Sequence, residues 1–280
     1  MTTLDTFRLD GARALVTGAS RGIGRAVAVA LADAGADVAL GARSPEALKG
    51  TAELVARRGR TAVLVPGDFT EPEAAGAAVD QAAESLDGLD AVVHNAGILP
   101  TLPDGSPALA PLQDSAQEDW DAVLNINLNA TAALCRHAHA HLTSSPRASV
   151  TLMSSVAGVM GTPRMDAYGA SKAAQISLAR SLAVGWAREG IRVNALCAGW
   201  TRTDMTDFAY RTGPLSEWLM GHVPMGRWAE PEEVARAALF LASPAASFLT
   251  GQAVVLDGGM SVADGGLAGI PKPASPFANA

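Results

Sequence analysis

Residues 12–24 read Ala12-Arg13-Ala14-Leu15-Val16-Thr17-Gly18-Ala19-Ser20-Arg21-Gly22-Ile23-Gly24, an apolar run followed by a glycine-rich turn. The run predicts a buried strand, and the Ala-rich stretch after the turn predicts a helix. Glycines at such a turn let the backbone approach a pyrophosphate, and the helix N-terminus then presents free N–H groups to it. A tight structural turn without a ligand is the alternative. The cofactor contacts predicted from this stretch are Gly18, Ser20, Arg21, Gly22, Ile23 and Gly24.

The rest of the chain alternates apolar strand-like runs with Ala-rich helical stretches. The apolar runs are continuous, which is typical of strands buried on both faces of a parallel sheet. Repeated βαβ units predict an α/β fold, a doubly wound parallel sheet of about seven strands. We expect a single domain over residues 1–258, a loop over 99–112 and a C-terminal tail over 259–280. The expected strands are 12–17, 37–41, 61–65, 89–94, 148–153, 191–196 and 253–256, and the expected helices 27–34, 47–58, 73–85, 117–141, 167–188 and 232–242.

Composition excludes several classes of protein. The net charge is −7 and no run of five Lys or Arg occurs, which argues against a nucleic-acid partner. No apolar stretch reaches the roughly 18 residues of a membrane span, and residues 1–10 lack the pattern of a signal peptide, so we expect a cytoplasmic protein without a membrane partner. The two cysteines predict neither a disulfide framework nor a metal site.

Three histidines recur on the predicted helix 117–141, at His137, His139 and His141. The first and third share a helix face, a spacing that suits a metal ion. No acidic or cysteine partner is evident in the sequence, so a solvated face or a subunit interface is the favoured interpretation, and no metal is expected.

The pair Tyr168 and Lys172 carries the chemistry, with Ser155 thirteen residues before the tyrosine. Positions i and i+4 share a helix face, so an ammonium can lie near the phenol and lower its pKa. A tyrosine tuned in this way can exchange a proton with a carbonyl or alcohol oxygen near neutral pH. A helical Tyr/Lys surface pair is the alternative, which the rest of the chain disfavours.

The end of the second predicted strand indicates which dinucleotide is bound. A carboxylate there would hold an adenosine ribose and repel a 2′-phosphate, but the chain has Ala42, followed by Arg43 and Ser44. Arg43 and Arg21 provide two guanidinium groups suited to a phosphate, so we predict NADP(H) in preference to NAD(H). Solvated surface arginines are the alternative.

Two further strand ends are predicted to reach the adenosine side of the cofactor. Asp68, followed by Phe69, can accept a hydrogen bond from an adenine amino group, although capping of the next helix is the alternative. After the fourth predicted strand, small residues allow a cofactor to pass close to the backbone, at Asn95, Ala96 and Gly97.

Because these motifs follow one another in this order along the chain, residues 10–258 resemble the short-chain dehydrogenase/reductase family. The resemblance is closest to bacterial 3-oxoacyl-[acyl-carrier-protein] reductases and related ketoreductases. Besides the stretches above, it rests on Trp120, Asn127, Ser155, Tyr168, Lys172 and on residues 194–203, 224–227, 240–243 and 257–259.

The resemblance implies a Rossmann fold and a catalytic tetrad. Tyr168 would be the general acid/base, and Lys172 would hold the nicotinamide ribose and depress the tyrosine pKa. Ser155 would bond the substrate oxygen, and Asn127 would hold a water that links Lys172 to solvent. The resemblance further implies cofactor contacts from Gly199, Thr201 and Thr203, and a homotetramer or dimer assembled through helices 117–141 and 167–188.

The chain departs from the family pattern at several places. His94 replaces the usual Asn, so a pH dependence is conceivable, although a packed and hydrogen-bonded histidine is favoured. Ala198 replaces the usual Pro in the turn after the sixth strand. Both the loop 99–112 and the C-terminal tail are longer than usual, which weakens any substrate assignment by analogy.

Residues 201–225 are predicted to form a lid over the substrate. Its apolar, flexible candidates fit a bulky or apolar ketone, with core packing as the alternative for each. Function is therefore predicted as NADPH-dependent reduction of a ketone or the reverse reaction on a secondary alcohol. The alternatives are a dehydrogenase of a cyclic alcohol, sterol or sugar, and a non-catalytic cofactor sensor. The substrate candidates are Met160, Met165, Trp200, Met205 and Phe208, together with Ser155 and Tyr168.

Overall fold

A computed structural model describes residues 2–102 and 106–262 of the chain. Seven parallel strands form one sheet in the order β3-β2-β1-β4-β5-β6-β7, so the chain winds outward from β1 in both directions. This order confirms the predicted doubly wound α/β fold. The strands are β1 Arg13–Thr17, β2 Asp37–Ala42, β3 Ala62–Pro66, β4 Ala91–His94, β5 Ser149–Ser155, β6 Arg192–Ala198 and β7 Ala253–Leu256.

Helices cover both faces of the sheet and create two separate hydrophobic cores. On one face α1, α2 and α9 pack against the strands, and on the other face α3, α5 and α6 do so. The central strands are buried on both sides, which explains why their apolar runs are continuous. The helices are α1 Gly22–Asp33, α2 Pro45–Ala56, α3 Pro72–Leu86, α4 Gln117–Leu124, α5 Ala130–Leu142, α6 Asp166–Trp186, α7 Asp207–Tyr210, α8 Gly213–Met220 and α9 Pro231–Ala242.

The glycine-rich turn joins β1 to α1 as predicted. Gly18 has a φ of 65°, in the left-handed region that favours glycine. Gly24 lies so close to this turn that an added Cβ would stand 2.1 Å from the Gly18 carbonyl oxygen. Both positions therefore require glycine for the turn to pack beneath the helix.

The long helix predicted over residues 117–141 is divided into α4 and α5 by a π turn, Asn125–Asn129. At its end the N–H of Ala130 donates to the carbonyl of Asn125, five residues earlier. The apolar pattern of the sequence continues through this segment, so periodicity predicts one uninterrupted helix. π turns occur frequently at functional sites, and Asn127 lies in the middle of this one.

The predicted lid contains two helices that the sequence analysis did not anticipate, α7 and α8. They enclose a small aromatic core of their own around Ala209, Leu219 and Trp228. The loop after β4 is irregular, with an isolated bridge between Thr101 and Pro107. Most of the predicted tail, residues 263–280, lies outside the described residues. Among the described helices, none combines the length and the apolar character needed to cross a bilayer.

Candidate active site

The predicted catalytic side chains meet at the carboxyl edge of the sheet. Ser155 is the last residue of β5, and Tyr168 and Lys172 lie on the first turns of α6. Asn127 belongs to the π turn that faces them. Since carboxyl ends of parallel strands share one edge, residues distant in sequence come together there.

Tyr168 and Ser155 lie next to each other at this edge of the sheet. Their side chains are hydrogen bonded, and the Ser155 hydroxyl also accepts from the N–H of Ala157 at 3.2 Å. Burial raises the pKa of Tyr168, while the hydrogen bond with Ser155 acts in the opposite direction. The net direction is opposite to the one expected from the sequence. The physical reason is that the Lys172 ammonium lies 5.6 Å from the centre of the phenol ring and is hydrogen bonded to other groups.

Lys172 is only 4% exposed, which is unusual for a lysine. Its Nζ donates to the carbonyl of Met153 at 2.8 Å and to the side-chain oxygen of Gln175 at 3.1 Å. Burial lowers the pKa of Lys172 to about 8, because a low-dielectric environment disfavours the ammonium. The site therefore holds a lysine whose charge changes near neutral pH.

Asn127 is fully buried, and both polar atoms of its side chain have partners. Its side-chain oxygen accepts from the N–H of Ile98 at 2.8 Å, and its side-chain nitrogen donates to the Ile98 carbonyl and to Ser171 Oγ. These bonds tie the loop after β4 to α6. The backbone carbonyl of Asn127 accepts from the side chains of Thr131 and Gln175. Gln175 was missed in the sequence, although a polar residue three positions after Lys172 shares its helix face.

His94 is buried at the end of β4, as the packed interpretation predicted. Its Nδ1 is 2.9 Å from Thr17 Oγ1, and that hydroxyl already accepts from the N–H groups of Asn95 and Ala96. The hydroxyl must therefore donate to Nδ1, which assigns the histidine proton to Nε2. Burial is the main cause that lowers the pKa of His94 to about 3, so the ring stays neutral at physiological pH.

The glycine turn fits the pyrophosphate of a dinucleotide. Arg21 begins α1 with no side-chain cap, so the first N–H groups of the helix are left for a ligand. Asn95 Nδ2 donates to the Gly18 carbonyl at 3.2 Å and braces the turn. A Cβ on Gly97 would stand 3.1 Å from Asn127 Oδ1 and 3.4 Å from Lys172 Nζ, so this glycine keeps the backbone close to the catalytic pair.

The predicted adenosine contacts lie at the ends of β2 and β3. Arg43 is exposed, and its charge contributes to lowering the pKa of Asp68, after the larger effect of the hydrogen bonds from Thr70. Ser44 caps α2 by accepting from the N–H of Ala47 at 3.3 Å. Phe69, which follows Asp68, is buried. Arg21 reaches away from this group and pairs with Asp204 of the lid at 2.9 Å.

The predicted nicotinamide contacts follow β6. The N–H of Gly199 donates to the Leu256 carbonyl at 2.9 Å, and Thr201 is buried, with its hydroxyl on the Gly199 carbonyl. Thr203 starts the lid through a capping box with Thr206. A Cβ on Gly22 would stand 3.3 Å from the Thr203 side chain, so the glycine turn and the base of the lid approach each other closely. Ile23, which follows Gly22 in the turn, is partly buried and packs against the hydrophobic core on the side of the sheet that α1 covers.

A cavity of about 300 Å³ opens beside Tyr168. Of the apolar substrate candidates, Met165 lines it, while Trp200 and Phe208 pack into the aromatic core of the lid. Met160 is half-buried outside the cavity, and Met205 is 42% exposed. Most of the polar lining was not predicted from the sequence. Further lining residues are Leu99, Pro100, Trp120, Asp114, Asp119, Arg164 and Asp166.

The three helix histidines are all paired with carboxylates. His137 and His141 both contact Asp80, at 2.7 and 2.8 Å, and His139 contacts Glu189 at 2.8 Å. In residues 2–102 and 106–262, no group of three or more His, Cys, Asp or Glu side chains is arranged to hold a metal ion.

Comparison with known proteins identifies the family. The profile of the family described as Enoyl-(Acyl carrier protein) reductase matches residues 18–261. Gluconate 5-dehydrogenase of Gluconobacter oxydans (strain 621H) is 34% identical over 258 residues, which cover 92% of this chain and 98% of that protein. D-threitol dehydrogenase of Mycolicibacterium smegmatis (strain ATCC 700084 / mc(2)155) is 35% identical, over 91% of this chain and 95% of that protein.

A solved structure agrees with these relatives. A gluconate 5-dehydrogenase from Burkholderia cenocepacia J2315 in complex with NADP and tartrate is 33% identical and has a TM-score of 0.86, covering 94% of this chain and 100% of that one. The fold, the ordered motifs and these matches lead to one assignment. The chain belongs to the short-chain dehydrogenase/reductase family, oxidoreductases that act on CH–OH groups.

Proposed function

We propose that the protein interconverts a secondary alcohol and its ketone with NADP(H), and that the substrate is a small polyol, sugar acid or cyclic alcohol. One observation carries the proposal: Tyr168 lines a cavity of about 300 Å³ and is hydrogen bonded to Ser155, with the Lys172 ammonium 5.6 Å from the centre of the phenol ring. This arrangement can hold a substrate oxygen and exchange a proton with it.

Each residue has a distinct task in this proposal. Ser155 donates a hydrogen bond to the substrate oxygen and orients it. Tyr168 gives its phenolic proton to that oxygen in reduction and removes it in oxidation. Lys172 keeps a positive charge beside the phenol and favours the phenolate when it forms. When bound, the nicotinamide cofactor supplies or accepts the hydride, and the residues that would hold it are the glycine turn, Asn95–Gly97 and Thr201–Thr203.

The direction of the pKa shift of Tyr168 gives an expected pH dependence. Because burial raises this pKa, the phenol stays protonated at neutral pH and is ready to donate in reduction. Oxidation needs the phenolate as the base, so we expect alcohol oxidation to accelerate as pH rises and ketone reduction to slow. Parallel pH profiles of kcat for the two directions measure this. Identical profiles would contradict the role of Tyr168.

The first experiment follows absorbance at 340 nm with NADP+ or NADPH against a panel of alcohols and ketones. The panel contains gluconate, threitol, a 4-hydroxycyclohexanecarboxylate, an acyl thioester and a bulky aryl ketone. We expect Tyr168→Phe to lower kcat/KM by about 10²- to 10⁴-fold, the usual contribution of a general acid/base. Tyr210→Phe is the matched control, since it changes the other tyrosine of the chain, which packs on Trp228 in the lid. Equal effects of the two substitutions would overturn the assignment.

Part of the cavity wall supports the alternative substrate, a bulky or apolar ketone. Leu99, Met165 and Trp120 are apolar, whereas Asp114, Asp119 and Arg164 supply polar groups that suit hydroxyls. The two relatives described above are named as dehydrogenases of a sugar acid and of a polyol, which favours the polar substrate. A higher kcat/KM on the aryl ketone than on every hydroxylated compound would reverse the order of the two candidates.

Preference for NADP(H) is proposed on charge. Arg43 is exposed beside Ala42, where a carboxylate would repel a 2′-phosphate. We expect Arg43→Asp to reduce the ratio of kcat/KM for NADPH over NADH by at least about tenfold, because it removes a charge-assisted bond and adds repulsion. Arg57→Asp, an equal charge change on the exposed end of α2, is the control. An unchanged ratio in Arg43→Asp would refute the preference.

We propose a cytoplasmic homotetramer or dimer, with residues 201–225 as the substrate lid. Apolar side chains exposed on the single chain support assembly: Val184 on α6 is 84% exposed, and Phe248 before β7 is fully exposed. Light scattering should give two or four times the chain mass of 28.5 kDa. A single-chain mass would refute assembly.

A further inference from the structure

We propose that Gln175 is a positioning residue that holds the Lys172 ammonium and couples it to the backbone of Asn127. The inference deepens the proposed function, since it concerns how the lysine beside Tyr168 is kept in place. It assigns a role to a residue outside the four predicted catalytic positions.

The contacts of Gln175 reach both catalytic residues. The side chain is fully buried, one turn after Lys172 on α6. Its oxygen accepts from Lys172 Nζ at 3.1 Å, and its nitrogen donates to the Asn127 carbonyl at 2.8 Å and to Thr131 Oγ1 at 3.0 Å. One amide thus connects the ammonium to the π turn and to the first turn of α5.

The orientation of this amide is fixed by its surroundings. If the amide were flipped, its oxygen would face the Asn127 carbonyl and its NH₂ group would face the ammonium of Lys172. Both contacts would be repulsive, and the buried groups would lose their partners. The carbonyl end of Gln175 therefore points at the ammonium and favours its charged form.

The same contacts occupy both lone pairs of the Asn127 carbonyl oxygen. It accepts from Thr131 Oγ1 at 2.7 Å and from Gln175 Nε2 at 2.8 Å, and a carbonyl oxygen has two lone pairs. Both lone pairs of this carbonyl therefore accept from side chains of the protein. An amide has no ionisable proton near neutral pH, so Gln175 fixes the position and basicity of Lys172 and does not relay protons.

The hydrogen-bond acceptors of the Lys172 ammonium are neutral groups. The Met153 carbonyl on β5 is its second acceptor. The ionisable neighbours are His94 on β4, which stays neutral, Cys197 on β6, a thiol whose pKa is raised mainly by burial, and Tyr168 on the same helix. Substitution of Gln175 should therefore change the protonation of Lys172 directly.

The test measures Lys172 itself. The chain has only three lysines, Lys49, Lys172 and one at position 272, so side-chain lysine NMR signals of a selectively labelled protein can be assigned with a Lys49→Arg variant. We expect Gln175→Glu to raise the titration midpoint of Lys172 by about one pH unit or more, because it adds a carboxylate at hydrogen-bond distance. Gln175→Met keeps the length but removes the acceptor, so the midpoint should fall by roughly half a unit.

Shifts in opposite directions support the proposal, and midpoints that stay within about 0.2 units of the wild-type value in both variants overturn it. If either variant does not fold, Thr131→Val serves in its place. It removes one of the two acceptors that orient the amide, and a fall of the midpoint smaller than about half a unit is expected, whereas an unchanged midpoint counts against the proposal. The titration needs neither substrate nor turnover, so its result is independent of whether the proposed reaction is correct.

Discussion

An ionisable side chain is buried at each end of strand β4, and the two differ in how many hydrogen-bond partners they have. Asp90, just before the strand, accepts from the backbone and guanidinium of Arg13 and from Ser145 Oγ, at 2.7 to 3.1 Å. Burial acts to raise its pKa, yet these hydrogen bonds hold it below the usual value. His94, at the other end, has one partner, and its Nε2 is buried without one among the described residues.

The difference follows from the position of each end relative to the candidate site. At the amino edge of the sheet a fully paired charge binds β1, β4 and the segment before β5 together. At the carboxyl edge His94 and Lys172 are buried in forms that their surroundings satisfy incompletely, and their pKa values are lowered to about 3 and about 8. Active sites commonly contain groups that reduce stability in this way.

The largest effect is expected at the amino edge. Asp90→Ala should lower the free energy of unfolding by roughly 4 kcal/mol, because it leaves the Arg13 guanidinium and Ser145 without their partner. Urea denaturation measures this loss, and kcat/KM of the folded variant should not change. Glu53→Ala, which breaks the exposed pair with Arg57, is the control and should cost no more than about 0.5 kcal/mol. Similar losses in both variants would remove the contrast between buried and exposed pairs.

His94→Asn tests the other end of the strand. An unfolded histidine binds a proton below about pH 6.5, whereas folded His94 does so only near pH 3. Stability is therefore lost as pH falls through this window, by about 1.4 kcal/mol per unit. Between pH 6.5 and 4.5 the variant should gain roughly 2.3 kcal/mol relative to the wild type. Parallel stability curves across this range would show that His94 does not titrate as a buried group.

Lys172→Met gives the smallest expected effect, which has the same sign as that of His94 but lies at higher pH. The lysine pKa is about 8 in the folded protein and 10.5 in the reference state, so the unfolded chain binds more protons between these values. Wild-type stability should rise relative to the variant as pH increases from 8 to 9.5, by about 2 kcal/mol. Thermal or urea unfolding at several pH values measures the difference. A constant difference would mean that Lys172 does not change protonation in the folded state.

The fold was predictable because its signals are local. The continuous apolar runs and the glycine turn follow from single stretches of sequence. Five of the six predicted helices were located to within a few residues apart from the N-terminal turn of α1, whereas the sixth, 117–141, is divided by the π turn. α8 was not predicted, because Thr212, Gly213 and Pro214 at its start are typical of a turn. Its stability comes from aromatic packing within the lid, which no local pattern shows.

The site was predictable to a different degree. Tyr168, Lys172 and Ser155 are evident from spacing, and the structure brings them together. The direction of the Tyr168 pKa shift was not predictable, because it depends on burial and on which acceptors occupy the Lys172 ammonium. Gln175 and the cavity lining depend in the same way on contacts between segments far apart in the chain.

The π turn at Asn125–Asn129 has a consequence for sequence change at this position. A π turn contains one residue more than the α turn it replaces, and each residue of a helix rotates the chain by about 100°. Deleting one residue here would restore regular hydrogen bonding while rotating α4, with Trp120 of the cavity wall, about the axis of α5. Insertions and deletions in this segment would thus redirect the cavity wall in large angular steps, whereas substitutions elsewhere in the lining adjust it gradually.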